Sequence, residues 1–250
     1  MKEFIKSTLD KIGFELVNKS KVPKLHFSSD RRFHDLYGRA QEMTQMNATD
    51  NPLRRQRHYT LNHLLWNVPL DAGDVCELGC WRGLSAYQIA AHLGSLAHNP
   101  VFHIFDSFAG LSKFQSEDKT EGTAEDFEAR RRQFACSLET VKENLKEFPF
   151  IRYYQGWIPE RFPEVQDRKF SFVHVDVDLY QPIRDSFRFF YPRLVNGGMM
   201  VFDDYGYAQF PGAQKAIDDC RKESGDPFFL PLPSGQAFLI KGLKNLGRGQ

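Results

Sequence analysis

Strand and helix patterns alternate regularly along most of this chain, and that alternation leaves few architectures open. Short apolar runs typical of buried strands occupy residues 75–78, 101–105, 150–154, 170–177 and 199–202. Segments with helical periodicity lie between or after them, at 84–93, 138–148, 183–194 and 213–222. Such alternation is typical of βαβ units, so it predicts a mostly parallel sheet covered by helices.

The end of the chain departs from this alternation. The segment FFLPLPSGQAFLIKG contains two strand-like runs joined by a Pro-Ser-Gly turn, which indicates an antiparallel hairpin. Together the runs predict an α/β fold with a mostly parallel seven-stranded sheet and a C-terminal antiparallel hairpin.

Residues 1–70 have a different pattern from the rest of the chain. Helical periodicity is present at 2–17 and more weakly at 31–46, and a short apolar helix is expected at 58–66. The polar segment 43–57, interrupted by Pro52, is typical of a loop. We therefore expect an N-terminal helical or lid segment, 1–70, in front of one sheet-containing domain, 71–250.

Composition narrows the classes of partner. The 33 Lys and Arg residues against 32 Asp and Glu residues argue against a nucleic-acid binder, which normally has a clear basic excess. No apolar stretch approaches the ~18 residues of a membrane span, and no export signal is present at Met1. With only four cysteines, a reducing cytoplasmic location is expected. A symmetric homo-oligomer is the default expectation for such a protein.

A glycine turn follows the first strand, in the order Glu77, Gly79 and Gly83 before a helix. Glycines let the backbone approach a ligand closely, and the helix start offers free amides to an anion. The spacing differs from the dinucleotide pattern G-x-G-x-x-G. The acidic Glu77 before the first glycine suits a ligand that carries an ammonium or sulfonium group rather than a pyrophosphate.

Two further strand ends carry residues suited to a nucleoside. Asp106 closes the second strand, where an acid can bind both ribose hydroxyls. Gly156 and Trp157 follow the third strand, and a turn with an aromatic side chain can hold an adenine by stacking. For Asp106 the alternative is a turn or helix cap, and for Trp157 it is core packing.

Aspartates gather where two later strands end. Asp176 and Asp178 close the segment FSFVHVDVD, where they share one face of a strand with His174, and Asp203 and Asp204 close the next strand. If these strands are neighbours, Asp176, Asp203 and Asp204 converge on one point. Three carboxylates suit a hard cation, with Mg²⁺ as the first choice. His174 is expected to be a core residue or to lie just behind this group.

These motifs together resemble the macrocin O-methyltransferase family. The similarity spans residues 70–242, and its motifs are E-L-G-x-W-R-G at 77–83, F-D-S-F-x-G-L at 105–111, D-x-D-L-Y at 176–180 and G-G through D-D-Y at 197–205. The resemblance implies a Rossmann-like class I methyltransferase fold. It also implies Mg²⁺-dependent transfer of a methyl group from S-adenosylmethionine to a sugar hydroxyl, in a domain covering 71–250.

The resemblance assigns roles residue by residue. Cofactor-binding residues implied in this way are Glu77, Gly79 and Gly83 at the amino-acid end of the cofactor, Ser85 at its carboxylate and Asp106 at its ribose. Ser107 is expected to bind the cofactor as well. The metal ligands implied are Asp176, Asp203 and Asp204, and the general base is Asp178. The implied partner is a small-molecule acceptor, a glycoside or sugar with vicinal hydroxyls.

Three alternatives stay open at this stage. A catechol-type O-methyltransferase would act on a non-sugar diol with the same site. A nicotinamide-dependent oxidoreductase would use the same type of glycine turn, although the second loop glycine is missing. A non-catalytic partner-binding domain would use the charged segments 52–57 and 117–132, which are more typical of solvated faces or lids.

Overall fold

The computed structural model describes residues 30–98 and 100–244, and the helix expected at 2–17 lies outside them. One seven-stranded sheet forms the centre, in the order β3-β2-β1-β4-β5-β7-β6. The strands are β1 (Asp74–Leu78), β2 (Phe102–Asp106), β3 (Ile151–Gln155), β4 (Phe170–Val175), β5 (Leu194–Phe202), β6 (Pro227–Pro231) and β7 (Ala237–Lys244). β1 to β5 pair in parallel, whereas β7 pairs antiparallel with both β5 and β6. The predicted fold class is confirmed.

Helices cover both faces of this sheet. They are α1 (Arg31–Thr44), α2 (Pro52–Leu65), α3 (Leu84–Leu93), α4 (Ala124–Gln133), α5 (Leu138–Asn144), α6 (Tyr180–Phe190) and α7 (Pro211–Glu223). The prediction for α3 at 84–93 matches the observed bounds. No helix among the described residues is long and apolar enough to span a membrane.

Two hydrophobic layers hold the helices to the sheet. On one face, Phe33 of α1 and Leu65 of α2 are fully buried in the same layer as Val75 of β1. On the other face, Phe187 of α6 and Ile217 of α7 pack in a second layer. α1 and α2 therefore pack in the same hydrophobic layer as one face of the sheet.

The start of α2 corrects the prediction that 43–57 is a loop. Pro52 is the first residue of the helix, where the missing proline N–H leaves no hydrogen bond unmade. The Asn51 side chain caps the helix by accepting a hydrogen bond from the backbone N–H of Arg54, at 2.9 Å. The polar residues after Pro52 are helical, so their side chains point in several directions around α2.

The sheet order fixes where a ligand can bind. β1 has β2 on one side and β4 on the other, so the chain reverses its direction of strand addition at this position. In open α/β sheets, such a reversal opens a crevice at the carboxyl ends of the central strands. The predicted acidic and glycine motifs all follow the carboxyl ends of β1, β2, β3, β4 and β5.

Candidate active site

A cavity of about 270 Å³ lies at this edge of the sheet. Predicted cofactor residues on its wall are Gly79, Ser85, Asp106, Ser107, Gly156 and Trp157. The predicted metal ligands and base, Asp176, Asp178, Asp203 and Asp204, line the same cavity. The N-terminal segment closes it with Met46, Arg54, Arg57 and His58. Glu77 and Gly83 differ from the other predicted residues, because they are not part of the wall.

The turn after β1 requires glycine for two reasons. Gly79 has φ of +80°, and a Cβ atom there would lie 1.9 Å from the carbonyl oxygen of Asp176. Gly83 has φ of +93° and precedes α3 without a side-chain cap. The helix start, with Ser85 on the cavity wall, therefore keeps its backbone amides available for an anionic group.

Asp106 holds the glycine turn from the end of β2. One carboxylate oxygen accepts hydrogen bonds from the backbone N–H groups of Cys80 at 2.7 Å and Trp81 at 3.2 Å. The other accepts from the N–H of Phe108 at 2.7 Å. The structure shows that the Asp106 carboxylate orders the turn, and the same residue lines the cavity.

Trp157 follows β3 at the mouth of the cavity. Its side chain is 36% exposed, so it lies on the wall and outside the hydrophobic core. Gly156 beside it donates its backbone N–H to the carbonyl oxygen of Asp106 at 3.1 Å, which ties this turn to the end of β2. An indole face in this position can stack on a planar ring.

The predicted acidic residues all line this cavity, but the trio Asp176, Asp203 and Asp204 is divided between two close groups that share Asp176. Oxygen atoms of Asp176, Asp178 and Asp204 lie within 4.8 Å of one another, and a second group within the same limit joins Asp176 to His174 and Asp203. The strand prediction for 170–177 is too long, however, because β4 ends at Val175. Asp178 adopts a left-handed backbone with φ of +59°, a conformation that aspartate tolerates better than most residues.

A buried aspartate anchors the chain beyond this point. Asp118, from the loop after β2, accepts a hydrogen bond from the backbone N–H of Tyr180 at 2.7 Å. Tyr180 is the first residue of α6, whose own preceding residue, Leu179, provides no side-chain cap. The position of Asp178 is thus fixed from both sides, by the end of β4 and by the distant Asp118 side chain that caps the start of α6.

Burial and mutual repulsion perturb these acids. Burial, followed by repulsion from Asp204, raises the pKa of Asp176 to about 7. Burial raises the pKa of Asp178 well above its ordinary value, with repulsion from Asp204 and Asp176 added. Burial also raises the pKa of Asp204, although Arg57 opposes that effect. Groups with such perturbed pKa values in a cavity are typical of functional sites.

Arg57 from α2 is the main site residue that the sequence pattern did not reveal. Its guanidinium donates to the Asp203 carboxylate and lies 3.3 Å from Asp204 Oδ1. The same group lies 4.8 Å from the ring centroid of Tyr207. The basic segment 52–57 is therefore not wholly a solvated face, since this side chain is only 16% exposed. The sequence signal that could have revealed Arg57 is a basic residue on the inward face of a helix.

Behind the wall, Glu77 and His174 form a buried pair. They face each other across the parallel strands β1 and β4, and Glu77 Oε1 lies 2.8 Å from His174 Nδ1. His174 Nε2 lies 3.6 Å from Asp203 Oδ1. Glu77 is predicted to contact the amino-acid end of a cofactor; in the structure its side chain is fully buried and one carboxylate oxygen lies against His174.

The donor set fits a divalent cation. Four carboxylates of Asp176, Asp178, Asp203 and Asp204 face the cavity, and Arg57 supplies one positive charge against them. The buried Asp204 Oδ2 has no hydrogen-bond partner among the described residues. An excess of buried carboxylate oxygens is costly unless a cation compensates for it. All-oxygen donors suit Mg²⁺ or a similar hard ion.

The sequence of this chain is similar to the sequences of two O-methyltransferases. The chain is 28% identical over 156 residues, 60% of its length, to the 8-demethyl-8-(2,3-dimethoxy-alpha-L-rhamnosyl)-tetracenomycin-C 4'-O-methyltransferase of Streptomyces olivaceus. It is 27% identical over 192 residues, 69% of its length, to the mycinamicin III 3''-O-methyltransferase of Micromonospora griseorubida. These matches span 55% and 68% of the two relatives.

The fold is also found in a solved structure. The calicheamicin methyltransferase CalS11 superposes with a TM-score of 0.65 at 19% identity, covering 92% of this chain and 98% of that one. At this level of identity the likeness establishes the fold. The family assignment comes from a model of the macrocin-O-methyltransferase (TylF) family, which matches residues 23–227. This match covers most of the chain, and the chain therefore belongs to the macrocin-O-methyltransferase family.

Proposed function

We propose that this protein is an O-methyltransferase that uses S-adenosylmethionine and a divalent cation to methylate a hydroxyl of a sugar or glycosylated small molecule. The observation that carries the proposal is the close contact between the glycine turn and the acidic cluster. No space for a Cβ atom exists between Gly79 and the backbone of Asp176. A cofactor on the turn and a cation on the carboxylates would therefore share one cavity.

The cofactor half of the site is proposed to bind S-adenosylmethionine, which supplies an electrophilic methyl group when bound. Gly79 lines the cavity and is proposed to contact the amino-acid end, and Ser85 with the start of α3 suits its carboxylate. Asp106 and Ser107 are proposed to contact the ribose, and Trp157 the adenine; all three line the cavity. Asp106 can accept one ribose hydroxyl and still hold the turn, because Oδ2 already accepts two backbone N–H groups whereas Oδ1 accepts one and keeps a second lone pair free.

The acidic half is proposed to hold a cation through Asp176, Asp203 and Asp204. When bound there, Mg²⁺ supplies a Lewis acid that makes a sugar hydroxyl easier to deprotonate. Asp178 is proposed as the base that accepts the hydroxyl proton. Its raised pKa makes the carboxylate a stronger proton acceptor, and its left-handed backbone holds it apart from the strand.

The acceptor is proposed to enter beside the helices that precede β1. Arg54, Arg57 and His58 of α2 line the same cavity as Asp176 and Asp203, and Arg57 contacts Asp203 directly. Residues of the 1–70 segment would therefore select the acceptor, while residues 71–250 hold cofactor and cation. The names of the two relatives, which are methyltransferases of a tetracenomycin and a mycinamicin, support a glycosylated natural product as acceptor.

An acceptor screen tests this proposal. The full chain is incubated with S-adenosylmethionine, MgCl₂ and a panel of rhamnosylated compounds, free sugars and catechols, and the products are examined by mass spectrometry. A mass gain of one methylene on a glycoside supports the sugar assignment, whereas methylation of catechols alone overturns it. Calorimetry with S-adenosylmethionine and NAD tests the cofactor, and preferential NAD binding contradicts the proposal.

A further inference from the structure

A buried acid–imidazole pair connects the strand that carries the glycine turn to the acidic cluster. Glu77 is 0% exposed and His174 is 1% exposed, and the distance between Glu77 Oε1 and His174 Nδ1 is 2.8 Å. The two residues are direct partners in the register of β1 and β4. Burying a carboxylate and an imidazole is costly, so the pair calls for a role beyond filling the core.

The orientation of the imidazole indicates that role. Glu77 occupies Nδ1, which fixes the ring and directs Nε2 towards Asp203 Oδ1 at 3.6 Å. Nε2 is buried and has no hydrogen-bond partner among the described residues. Gln236, the residue before β7, donates a hydrogen bond from its side-chain amide to the same oxygen at 2.7 Å. Asp203 is therefore surrounded by side chains that can set the direction of its carboxylate.

We propose that His174, held by Glu77, is a positioning residue that sets the Asp203 carboxylate for cation binding. The inference rests on the proposed function, because it needs a divalent cation at the acidic cluster. Partners behind the ligands commonly orient metal sites, and their loss typically weakens metal affinity about 10- to 100-fold. Ligand atoms of His174, Asp176 and Asp203 lie within 4.8 Å of one another, so the imidazole faces the same space as the carboxylates.

This arrangement also couples the two halves of the site. Glu77 precedes the glycine turn by two residues in the sequence, and His174 precedes Asp176 by two. A rigid contact between the two strands therefore fixes the turn and the acidic cluster relative to each other. The pair would hold the cation at a constant distance from the cofactor, without itself touching either.

Two substitutions of His174 separate its contact with Glu77 from its approach to Asp203. His174→Asn reaches Glu77 but is too short to reach Asp203, whereas His174→Gln places an amide near the position of Nε2. MnCl₂ is titrated into the full chain, and the free ion is followed by electron paramagnetic resonance. We expect His174→Asn to bind Mn²⁺ about 10- to 100-fold more weakly than the wild type. His174→Gln should recover most of that loss.

The chain offers a matched control in His103. This residue is also 1% exposed and pairs with a carboxylate, Asp74, at 3.2 Å, but it lies on β2 away from the cavity wall. His103→Asn should lower the melting temperature without changing Mn²⁺ affinity. S-Adenosylmethionine affinity, measured by calorimetry, should stay the same in the folded His174 and His103 variants.

The outcomes separate this inference from the proposed function. Wild-type protein that binds no Mn²⁺ overturns both. Wild-type binding that is equalled by folded His174→Asn overturns the positioning role alone. If His174→Asn fails to fold, Glu77→Gln replaces it, since the amide keeps the size and an acceptor oxygen. A Glu77→Gln variant with unchanged Mn²⁺ affinity then refutes the inference.

Discussion

Replacing Arg57 by glutamine removes a positive charge from the centre of the acidic cluster while keeping an amide N–H. The guanidinium contacts Asp203 and Asp204, whose side chains are 13% and 5% exposed. Removing one partner of a buried ion pair costs about 3–5 kcal/mol, because the remaining charges are left uncompensated. We take the lower end, about 3 kcal/mol, because glutamine still donates a hydrogen bond.

That loss is large enough to measure in a melting curve. For chains of this size, 1 kcal/mol corresponds to about 2–4 °C in melting temperature, so Arg57→Gln should melt about 6–12 °C lower in chelator. Saturating MgCl₂ should reduce the difference in melting temperature between wild type and Arg57→Gln, since the cation compensates the same carboxylates. Differential scanning calorimetry of the full chain, with EDTA or MgCl₂, measures both effects.

Arg55 provides the matched control on the same helix. It pairs with Asp50 at the surface, where the arginine side chain is 44% exposed. Exposed ion pairs contribute about 0–1 kcal/mol, so Arg55→Gln should shift the melting temperature by a few degrees at most and show no special response to MgCl₂. If Arg57→Gln in EDTA behaves like Arg55→Gln, Arg57 does not compensate the acidic cluster and this reasoning fails.

Three further outcomes are expected. Gly79→Ala should lower the free energy of unfolding, measured in urea, by about 2–5 kcal/mol, because it adds left-handed backbone strain and a clash with Asp176. The control Gly225→Ala, at φ of +77° with open space around it, should lower it by only about 1–2 kcal/mol. Equal losses in the two variants would contradict the clash. Burial raises the pKa of Asp176 to about 7, so the folded protein holds this residue in its neutral, protonated form at lower pH. The stability that the metal-free protein gains from this protonation is lost as the pH rises through that value. Thermal stabilisation by MgCl₂ should therefore be larger above that pKa than below it, and a pH-independent shift would refute this. Asp118→Ala should lower kcat more than it weakens S-adenosylmethionine binding, because it frees the segment that carries Asp178; a loss in binding alone would refute the anchoring role.

The parts of the fold that sequence periodicity encodes locally were predictable. The helix at 84–93 is bounded by a glycine turn and by Gly94, and its observed bounds match the prediction. The seven strands also occur where apolar runs were found. The start of α2 was not predictable from the polarity of 43–57, because proline at the first helical position breaks no hydrogen bond.

The site was predictable to the extent that its residues follow strand ends. Asp176, Asp203 and Asp204 line one cavity because parallel strands end at one edge of the sheet, although Asp203 and Asp204 fall in different close groups around Asp176. Arg57 contacts Asp203 across 146 positions of sequence, and no local pattern announces such a pair. The prediction that β4 continues to residue 177 was wrong, because the alternation of valine and aspartate after Val175 resembles a strand. In the structure β4 ends at Val175, and Asp178 adopts a left-handed backbone just before α6.

Methyl transfer with and without a divalent cation decides whether the acidic cluster acts in the reaction. The full chain is treated with EDTA, returned to MgCl₂ or kept in chelator, and supplied with methyl-labelled S-adenosylmethionine and a glycoside acceptor found in the screen. We expect transfer in the wild type to stop in EDTA and return with MgCl₂. Asp203→Asn should stay inactive in both, while Asp219→Asn, at a surface pair with Lys215, should behave like the wild type. Full transfer by the chelated wild type would contradict cation-assisted methylation.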